Sequence, residues 1–375
     1  MTSLLLDEMC HLTAQSLSTF EVSDHFRVIK QLGQGSYGKV MLAVHKGKGT
    51  PMALKLFRKS NTSKLSFLRE YTISLCLSSH PCIIGVFGIV FQSLRLYGFA
   101  QEVAIHGDLF EIIVPQVGVP ETCARKVLVQ LIQALDFLHG KGLVHRDVKP
   151  ENILVCVPDC SQVKLSDFGL TKPRGSRIHG TSGPVPYSAP ELTVSEEEEK
   201  EQHGKTPCLL AEPSLDCWAL GVLLFCILTG NFPWEKTSCS DPLYREYKTW
   251  FDSQEVHQVD PLADHTEAGG SSNPSNRAGD DGGQEEQTRM KAPTQFSSFT
   301  TLALSLFKGL LTPDAKARAA PKEVLQYFGG AWVKDKAKEG MELGTKTQSR
   351  NSEVAECRPS SFSCAVETGQ KWTQL

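Results

Sequence analysis

His145-Arg146-Asp147-Val148-Lys149-Pro150-Glu151-Asn152 packs an acid, two cationic side chains and an amide into eight residues that follow a helical pattern. Asp147 can accept a hydroxyl proton, Asn152 can coordinate a divalent cation, and Lys149 can neutralise a phosphoryl group in transfer. A lone histidine in such a place is normally a core residue, and His145 is read as scaffold and not as base. Twenty residues beyond Asp147 comes Asp167-Phe168-Gly169, preceded by the strand-like Val163-Lys164-Leu165. Hard cations take oxygen ligands, so Asp167 is the natural principal ligand of the metal. Alone the tripeptide carries no information; after the first string it does.

Upstream, Leu32-Gly33-Gln34-Gly35-Ser36-Tyr37-Gly38-Lys39-Val40 carries three glycines that let backbone approach a phosphate chain without Cβ clashes. A dinucleotide loop would be followed by a helix and, about twenty residues on, an acid. Here a strand follows, which favours a glycine-rich hairpin over phosphates. Fifteen residues past Val40 lies Lys55, in the apolar run Met52-Ala53-Leu54-Lys55. Taken by itself it reads as a lysine snorkelling from a strand edge. Buried, it needs an anion, either phosphate oxygens or the carboxylate of Glu70 in the following helix. Downstream, Ala189-Pro190-Glu191, Asp216 and Arg318 carry structural expectations. Glu191 forms an ion pair with Arg318, buried or on the surface, and Asp216 holds the catalytic-loop backbone from below.

The surrounding pattern predicts an α+β bilobal fold. Phe26 to about Phe99 is strand-rich, interrupted by one helix-like segment from Ser63 to Leu77. From Pro120 to His139 the apolar positions Val127, Leu128, Leu131, Leu135 and Leu138 make one stripe of a helix, and a second long helix spans about Leu215 to Leu228. The expected organisation is a lead-in at 1–25 and a domain at 26–335, with a small β-rich lobe at about 26–103 and a helical lobe at about 104–335. Residues 264–295 and 336–375 lack the aliphatics to offset ordering entropy and are expected to be disordered. The acidic run Ser195-Glu196-Glu197-Glu198-Glu199-Lys200-Glu201 reads as a solvated loop.

Composition narrows the function classes. A net charge of -3 gives no reason to expect nucleic acid as the main partner. Leu4-Leu5-Leu6 is cut off by Asp7-Glu8, which is not a signal-peptide pattern. Trp218 to Leu228, the longest apolar stretch elsewhere, is too short to span a bilayer, so no membrane partner is expected. The twelve cysteines are scattered without a CxxC pair and read as reduced thiols, which points to the cytoplasm.

The series Gly33/Gly35/Gly38/Val40, Lys55, Glu70, His145-Arg146-Asp147…Asn152, Asp167-Phe168-Gly169 and Ala189-Pro190-Glu191 resembles the eukaryotic Ser/Thr protein kinase signature set over about residues 26–335. Phe67-Leu68-Arg69-Glu70, Phe99-Ala100-Gln101-Glu102 and Val185-Pro186-Tyr187-Ser188 resemble the SH3-binding-domain kinase family. No PxxP occurs in the chain, so an SH3 partner is not supported. The resemblance implies transfer of the ATP γ-phosphoryl group to a protein Ser/Thr hydroxyl, with Mg²⁺. Lys55 then holds the α/β-phosphates and pairs with Glu70; Asp147 is the base; Asn152 and Asp167 hold Mg²⁺; Lys149 marks a Ser/Thr enzyme. The glycine flap from Leu32 to Val40 and Ala53 enclose the nucleotide. Adenine hangs from the backbone near Glu102 and Ala104, Gln101 is the gatekeeper, and Asp108 meets the ribose. Arg146 implies control by an activation-segment phosphate on Thr171, Ser176, Thr181 or Ser182, unless these are merely exposed hydroxyls.

Two positions depart from that pattern. Pro184 stands where such kinases usually carry a Thr that steadies the catalytic Asp and Lys, and proline offers neither hydroxyl nor N–H. Ser74, one turn beyond Glu70, is small and polar where an apolar packing residue is usual. Pro184 motivates the rival reading, a pseudokinase or scaffold with weak or no turnover.

Overall fold

A computed structural model of the chain describes residues 1–35, 38–178, 186–192, 209–256 and 291–334. The chain opens with α1 (Ser3–Gln15), whose start is fixed by Thr2: its hydroxyl accepts the Leu5 N–H at 3.2 Å. Six strands then form one sheet: β1 (Ser18–Thr19), β2 (Phe26–Gln34), β3 (Gly38–His45), β4 (Pro51–Arg58), β5 (Val86–Gln92) and β6 (Leu96–Gln101). Their spatial order is β1-β5-β6-β4-β3-β2, antiparallel except for the β1–β5 edge pair. β4 lies inside the sheet, and its two-residue period separates its side chains. Met52 and Leu54 pack with Phe26, Ala43, Phe91 and Ala100 on one side. Lys55 and Phe57 face the other, where Phe57 meets Phe67 at 5.4 Å between ring centroids.

Phe67 belongs to α2 (Lys64–Leu77), capped by Ser63, whose hydroxyl accepts the Ser66 N–H at 3.1 Å. Phe67, Glu70, Ser74 and Leu77 are all buried at helical spacing, so the inner stripe of α2 carries a carboxylate among apolar side chains. The one charged position on the stripe, Glu70, faces Lys55 of β4.

Residues 1–25, expected as a lead-in outside the domain, are built onto this lobe. Leu6 and Cys10 of α1, one turn apart, are buried, and α1 packs on α2. β1 pairs with β5 through Ser18 opposite Phe91, and Phe20 stacks on Phe91 at 4.5 Å. The apolar triplet near the start had one side chain to bury, Leu6, while Leu4 and Leu5 remain exposed.

The second lobe is helical. α3 (Glu121–Gly140) buries Val127, Leu128, Leu131, Leu135 and Leu138, the stripe expected from spacing. Three short strands follow, β7 (Leu143–Val144), β8 (Ile153–Val155) and β9 (Val163–Leu165), the last two paired as a hairpin. α4 (Pro213–Thr229) is buried continuously from Leu215 to Leu228, which is why its sequence shows no polar face. It stops at Gly230, in the left-handed region at φ 67°, where a Cβ would lie 2.2 Å from the Val114 carbonyl oxygen. α5 (Pro242–Val256) and α6 (Thr301–Leu310) complete the lobe around an aromatic core that includes Phe225, Tyr247, Phe296 and Phe307.

Phe296 also moves one expected boundary. Residues 291–295, read as the end of a disordered insert, lead into this anchor: Thr294 N–H donates to Glu246 Oε1 at 3.1 Å and Gln295 to the Leu243 carbonyl at 3.1 Å. The Gly/Ser/Asp composition masked the buried aromatic just beyond it. The rest of that insert, the acidic run at 195–201 and the tail at 336–375 lie outside the described residues.

Arg318 is fully buried and forks onto Glu191, Nη1 to Oε1 at 2.8 Å and Nη2 to Oε2 at 3.0 Å, while its Nε donates to the Thr312 carbonyl at 2.9 Å. The expected pair is therefore the buried kind. Arg318→Ala strands Glu191 and the carbonyls of Thr312, Ser214 and Pro313, and should cost about 3–5 kcal/mol in urea unfolding. A loss under about 1 kcal/mol would make the pair a bystander.

Candidate active site

Lys55 is where the lobes' chemistry meets. Register places it opposite Val40 of β3 and Phe99 of β6, at the centre of the sheet. Its Nζ lies 2.6 Å from Glu70 Oε1 and 3.1 Å from Asp167 Oδ1. Burial alone would lower the Lys55 pKa, but the two carboxylates hold it above its usual value, so the ammonium persists. Burial pushes Glu70 up, against the pull of Lys55. Asp167 is also raised by burial, yet Lys55 and the Gly169 N–H leave it below the ordinary range. Glu70, Lys55 and Asp167 thus form one connected charge relay from helix to strand to loop.

The second cluster lies on the loop between β7 and β8. Asp147 accepts from Asn152 Nδ2 at 2.8 Å and pairs with Lys149 Nζ at 2.9 Å. Asn152 Nδ2 also donates to the Asp147 carbonyl at 2.7 Å, so both its N–H groups point inward and Oδ1 is the atom left for a cation. The β8–β9 register, Ile153 opposite Leu165, brings Asn152 beside Asp167. Ser166 N–H and Oγ both donate to the Asn152 carbonyl, at 2.8 and 3.0 Å. Asp147 and Asn152 therefore sit side by side, with Asp167 following Ser166, the residue bonded to Asn152.

Its backbone is held under strain. Arg146 at φ 70° and Asp167 at φ 63° occupy the left-handed region, at a cost on the order of 1–3 kcal/mol each. Asp216, buried at the start of α4, holds the first of them: its carboxylate accepts His145 N–H at 2.8 Å, Arg146 N–H at 2.7 Å and His139 Nε2 at 2.8 Å. His145 is scaffold. Nδ1 accepts the Asp147 N–H at 3.2 Å, Nε2 faces the Ser166 carbonyl at 3.2 Å, and burial keeps the ring neutral. Phe168 packs edge-on against it at 5.2 Å.

The residues expected to enclose a nucleotide lie on β2, β3, β4 and β6 and just beyond β6. Leu32, Gly33 and Gln34 end β2 and Gly35 follows it; Gly38, Lys39 and Val40 begin β3; Ser36 and Tyr37 lie outside the described residues. Gly38 is required by packing, since a Cβ there would fall 1.8 Å from the Leu56 carbonyl oxygen. At Gly33 and Gly35 a Cβ would meet nothing within 4 Å among the described residues. Ala53 and Gln101 are buried and directly opposed across β4 and β6. Beyond Gln101, the Glu102 carbonyl and the Ala104 N–H make no backbone hydrogen bond among the described residues. Asp108 caps the next helical turn, accepting the Glu111 N–H at 3.1 Å; burial, with Glu111 and Glu151 nearby, raises its pKa to about 6.

Some partners went unread in the sequence. Glu102 was assigned only a backbone role, but its carboxylate bonds Lys164 at 2.6 Å and the Gly85 N–H, tying the end of β6 to the β8–β9 hairpin that precedes Asp167. The signal was Lys164 itself, a charge within a buried strand. His139 as third partner of Asp216 had no signal beyond its place at the end of α3. Of the four hydroxyls expected in the activation segment, Thr171 is buried and so not an exposed one, Ser176 is half-buried, and Thr181 and Ser182 lie outside the described residues. So does Pro184. Arg146 Nη1 donates to the Leu170 carbonyl at 3.0 Å.

Comparison with known proteins adds an independent finding. The protein kinase domain family matches residues 26–328. Serine/threonine-protein kinase SBK1 of Danio rerio is 43% identical over 331 residues, covering 88% of this chain and 75% of that protein. Serine/threonine-protein kinase SBK1 of Mus musculus is 40% identical over 87% of this chain and 68% of its own length. Serine/threonine-protein kinase SBK2 of Homo sapiens is 37% identical over 87% of this chain and 83% of its own length.

Proposed function

This chain belongs to the protein kinase family, within its SH3-binding-domain kinase branch, and we propose from that premise how its residues divide the work of Ser/Thr phosphotransfer with ATP and Mg²⁺. The observation that carries the assignment is that Lys55 bridges Glu70 and Asp167, while Asp147 and Asn152 are bonded to each other and Ser166, next to Asp167, bonds the Asn152 carbonyl.

Lys55, fixed by Glu70, faces the α/β-phosphates. Asn152 Oδ1 and the Asp167 carboxylate are the hard oxygen ligands suited to Mg²⁺, which supplies charge neutralisation on the phosphates. Asp147 accepts the proton of the substrate hydroxyl as its oxygen bonds to the γ-phosphorus and the bond to the β-phosphate oxygen breaks, releasing ADP. Lys149, 2.9 Å from Asp147, sits where charge on the transferred group is balanced. Phosphotransfer of this type is positioning and electrostatics, and both are present in the side chains described.

The test is Mg²⁺-dependent transfer of labelled phosphate from ATP to a Ser/Thr peptide library by the purified full chain. Label on Ser or Thr is expected. Nucleotide binding with no label on any peptide would leave only the scaffold reading that Pro184 motivates.

Asp108 makes the ribose contact testable by pH. The unfolded acid titrates near 3.9, so the fold holds the Asp108 proton more tightly. Its stability contribution is full below about pH 4 and is lost as pH rises through about 6, where the carboxylate forms. The carboxylate is the better acceptor for ribose hydroxyls. Inhibition by adenosine, which carries no titrating phosphate, should strengthen through a midpoint near pH 6 and become flat in Asp108→Asn. A wild-type profile identical to that of the variant would remove Asp108 from the ribose site.

The cysteines among the described residues are all free thiols, which supports a cytoplasmic location. No helix among the described residues is long and apolar enough to cross a membrane.

A further inference from the structure

The Lys55–Glu70 pair cannot hold α2 in place by itself. Burying both charges costs desolvation energy that their attraction only roughly offsets, so α2 must be positioned by packing. Its inner side has that packing, with Phe67 stacked on Tyr97 at 4.9 Å and edge-on to Phe57 at 5.4 Å. One turn past Glu70, however, Ser74 gives its hydroxyl to the Glu70 carbonyl at 2.7 Å and contributes no apolar side chain. The outer side of α2 is covered by α1. Leu6 and Cys10 are buried, at 3% and 2% exposure, while Leu4 and Leu12 on the same helix are 71% and 63% exposed. Thr13 Oγ1 meets Thr72 Oγ1 at 3.3 Å, and Cys10 Sγ lies 3.8 Å from the same hydroxyl. Thr72 is two residues from Glu70. Asp7 pairs with Arg69, the residue before Glu70, at 2.9 Å, an exposed pair that adds register more than energy. The first turns of α1 also reach the other lobe: Ser3, Leu6 and Asp7 line a cavity of about 200 Å³ together with Arg69, Thr171, Lys172, Pro173 and Ser176.

We infer that α1 is part of the catalytic apparatus by position: Leu6 and Cys10 are positioning residues that seat α2 so that Glu70 meets Lys55, and turnover depends on their contact. This rests on the kinase reading above. α1 lies outside the matched domain region of residues 26–328, so nothing in the family comparison assigns it this task.

The test uses the full chain with Leu6→Asp and the milder Leu6→Ala, Leu6→Met as the conservative variant, and Leu4→Asp as the same insult on the exposed face. Each is assayed well below its own melting temperature, so that only folded enzyme is compared. Expected is a fall in kcat of about ten-fold or more for Leu6→Asp, as for a small misplacement of a catalytic group, and a lesser fall for Leu6→Ala. The KM for peptide should stay unchanged, Leu6→Met should restore turnover, and Leu4→Asp should match wild type. Deuterium exchange of residues 64–77 should rise with the Leu6 variants alone. Wild-type kcat and unchanged exchange in folded Leu6→Asp would overturn the inference; if that variant does not fold, the same result in Leu6→Ala overturns it. A wild type without Asp147-dependent turnover would instead sink the kinase reading, and the exchange data would still decide whether α1 seats α2.

Discussion

Asp147→Asn lowers kcat by about 10²–10⁴-fold, the usual range for a positioned general base, while the melting temperature moves by a few degrees at most. The substitution keeps volume and shape but removes more than a proton acceptor. Two donors converge on the wild-type carboxylate, Asn152 Nδ2 on Oδ2 at 2.8 Å and Lys149 Nζ on Oδ1 at 2.9 Å. An amide offers one oxygen, so one of these donors then faces an N–H₂ group. If Asn152 loses that bond, only its bond to the Asp147 carbonyl still holds its side chain, and the orientation of Oδ1 loosens along with the base. The group is partly exposed, so the stability cost is that of one hydrogen bond to a charged group, about 1.5–3 kcal/mol at most. Steady-state kinetics with a thermal melt on the same samples separates the two effects. Equal turnover in variant and wild type would mean that the signal does not come from this site.

Lys55→Met should cost about 10²–10³-fold in kcat/KM, the scale of removing one preorganised charge from a transition state. Methionine fills the same space in β4, so the sheet and its Phe57–Phe67 contact persist. What is lost is the cation between Glu70 at 2.6 Å and Asp167 at 3.1 Å. The two acids then face each other with nothing between them. Burial already pushes the Glu70 carboxyl up, and losing Lys55 removes the cation that opposed this, which limits the cost to the fold. The variant should therefore remain folded by circular dichroism, with nucleotide held less firmly. Undiminished turnover would contradict the role given to Lys55, and outright unfolding would show that the pair is chiefly structural.

What could be read before any fold was known is what is local along the chain. Asp147, Lys149 and Asn152 fall within one loop, and the spacing to Asp167 spans a single short hairpin, so their mutual geometry follows from a few backbone turns. The helix stripe from Val127 to Leu138 was legible for the same reason: a 3.6-residue period is a property of neighbours. α4 was legible only as an apolar run, because a helix buried on all sides leaves no pattern by which to face it.

The amino-acid sequence by itself determined the two-lobed plan, the three glycines ahead of Lys55, and the grouping of Asp147, Lys149 and Asn152 on one loop, since each is set by residue type at short range. Only the tertiary structure decided what pairs across distance. Glu102 with Lys164, His139 with Asp216, the burial of Thr171, and the seating of α1 on α2 join segments tens of residues apart, where no periodicity links the partners. The physical reason is that a buried charge or a half-apolar helix announces a need for a partner but not its address; packing of the whole chain supplies that.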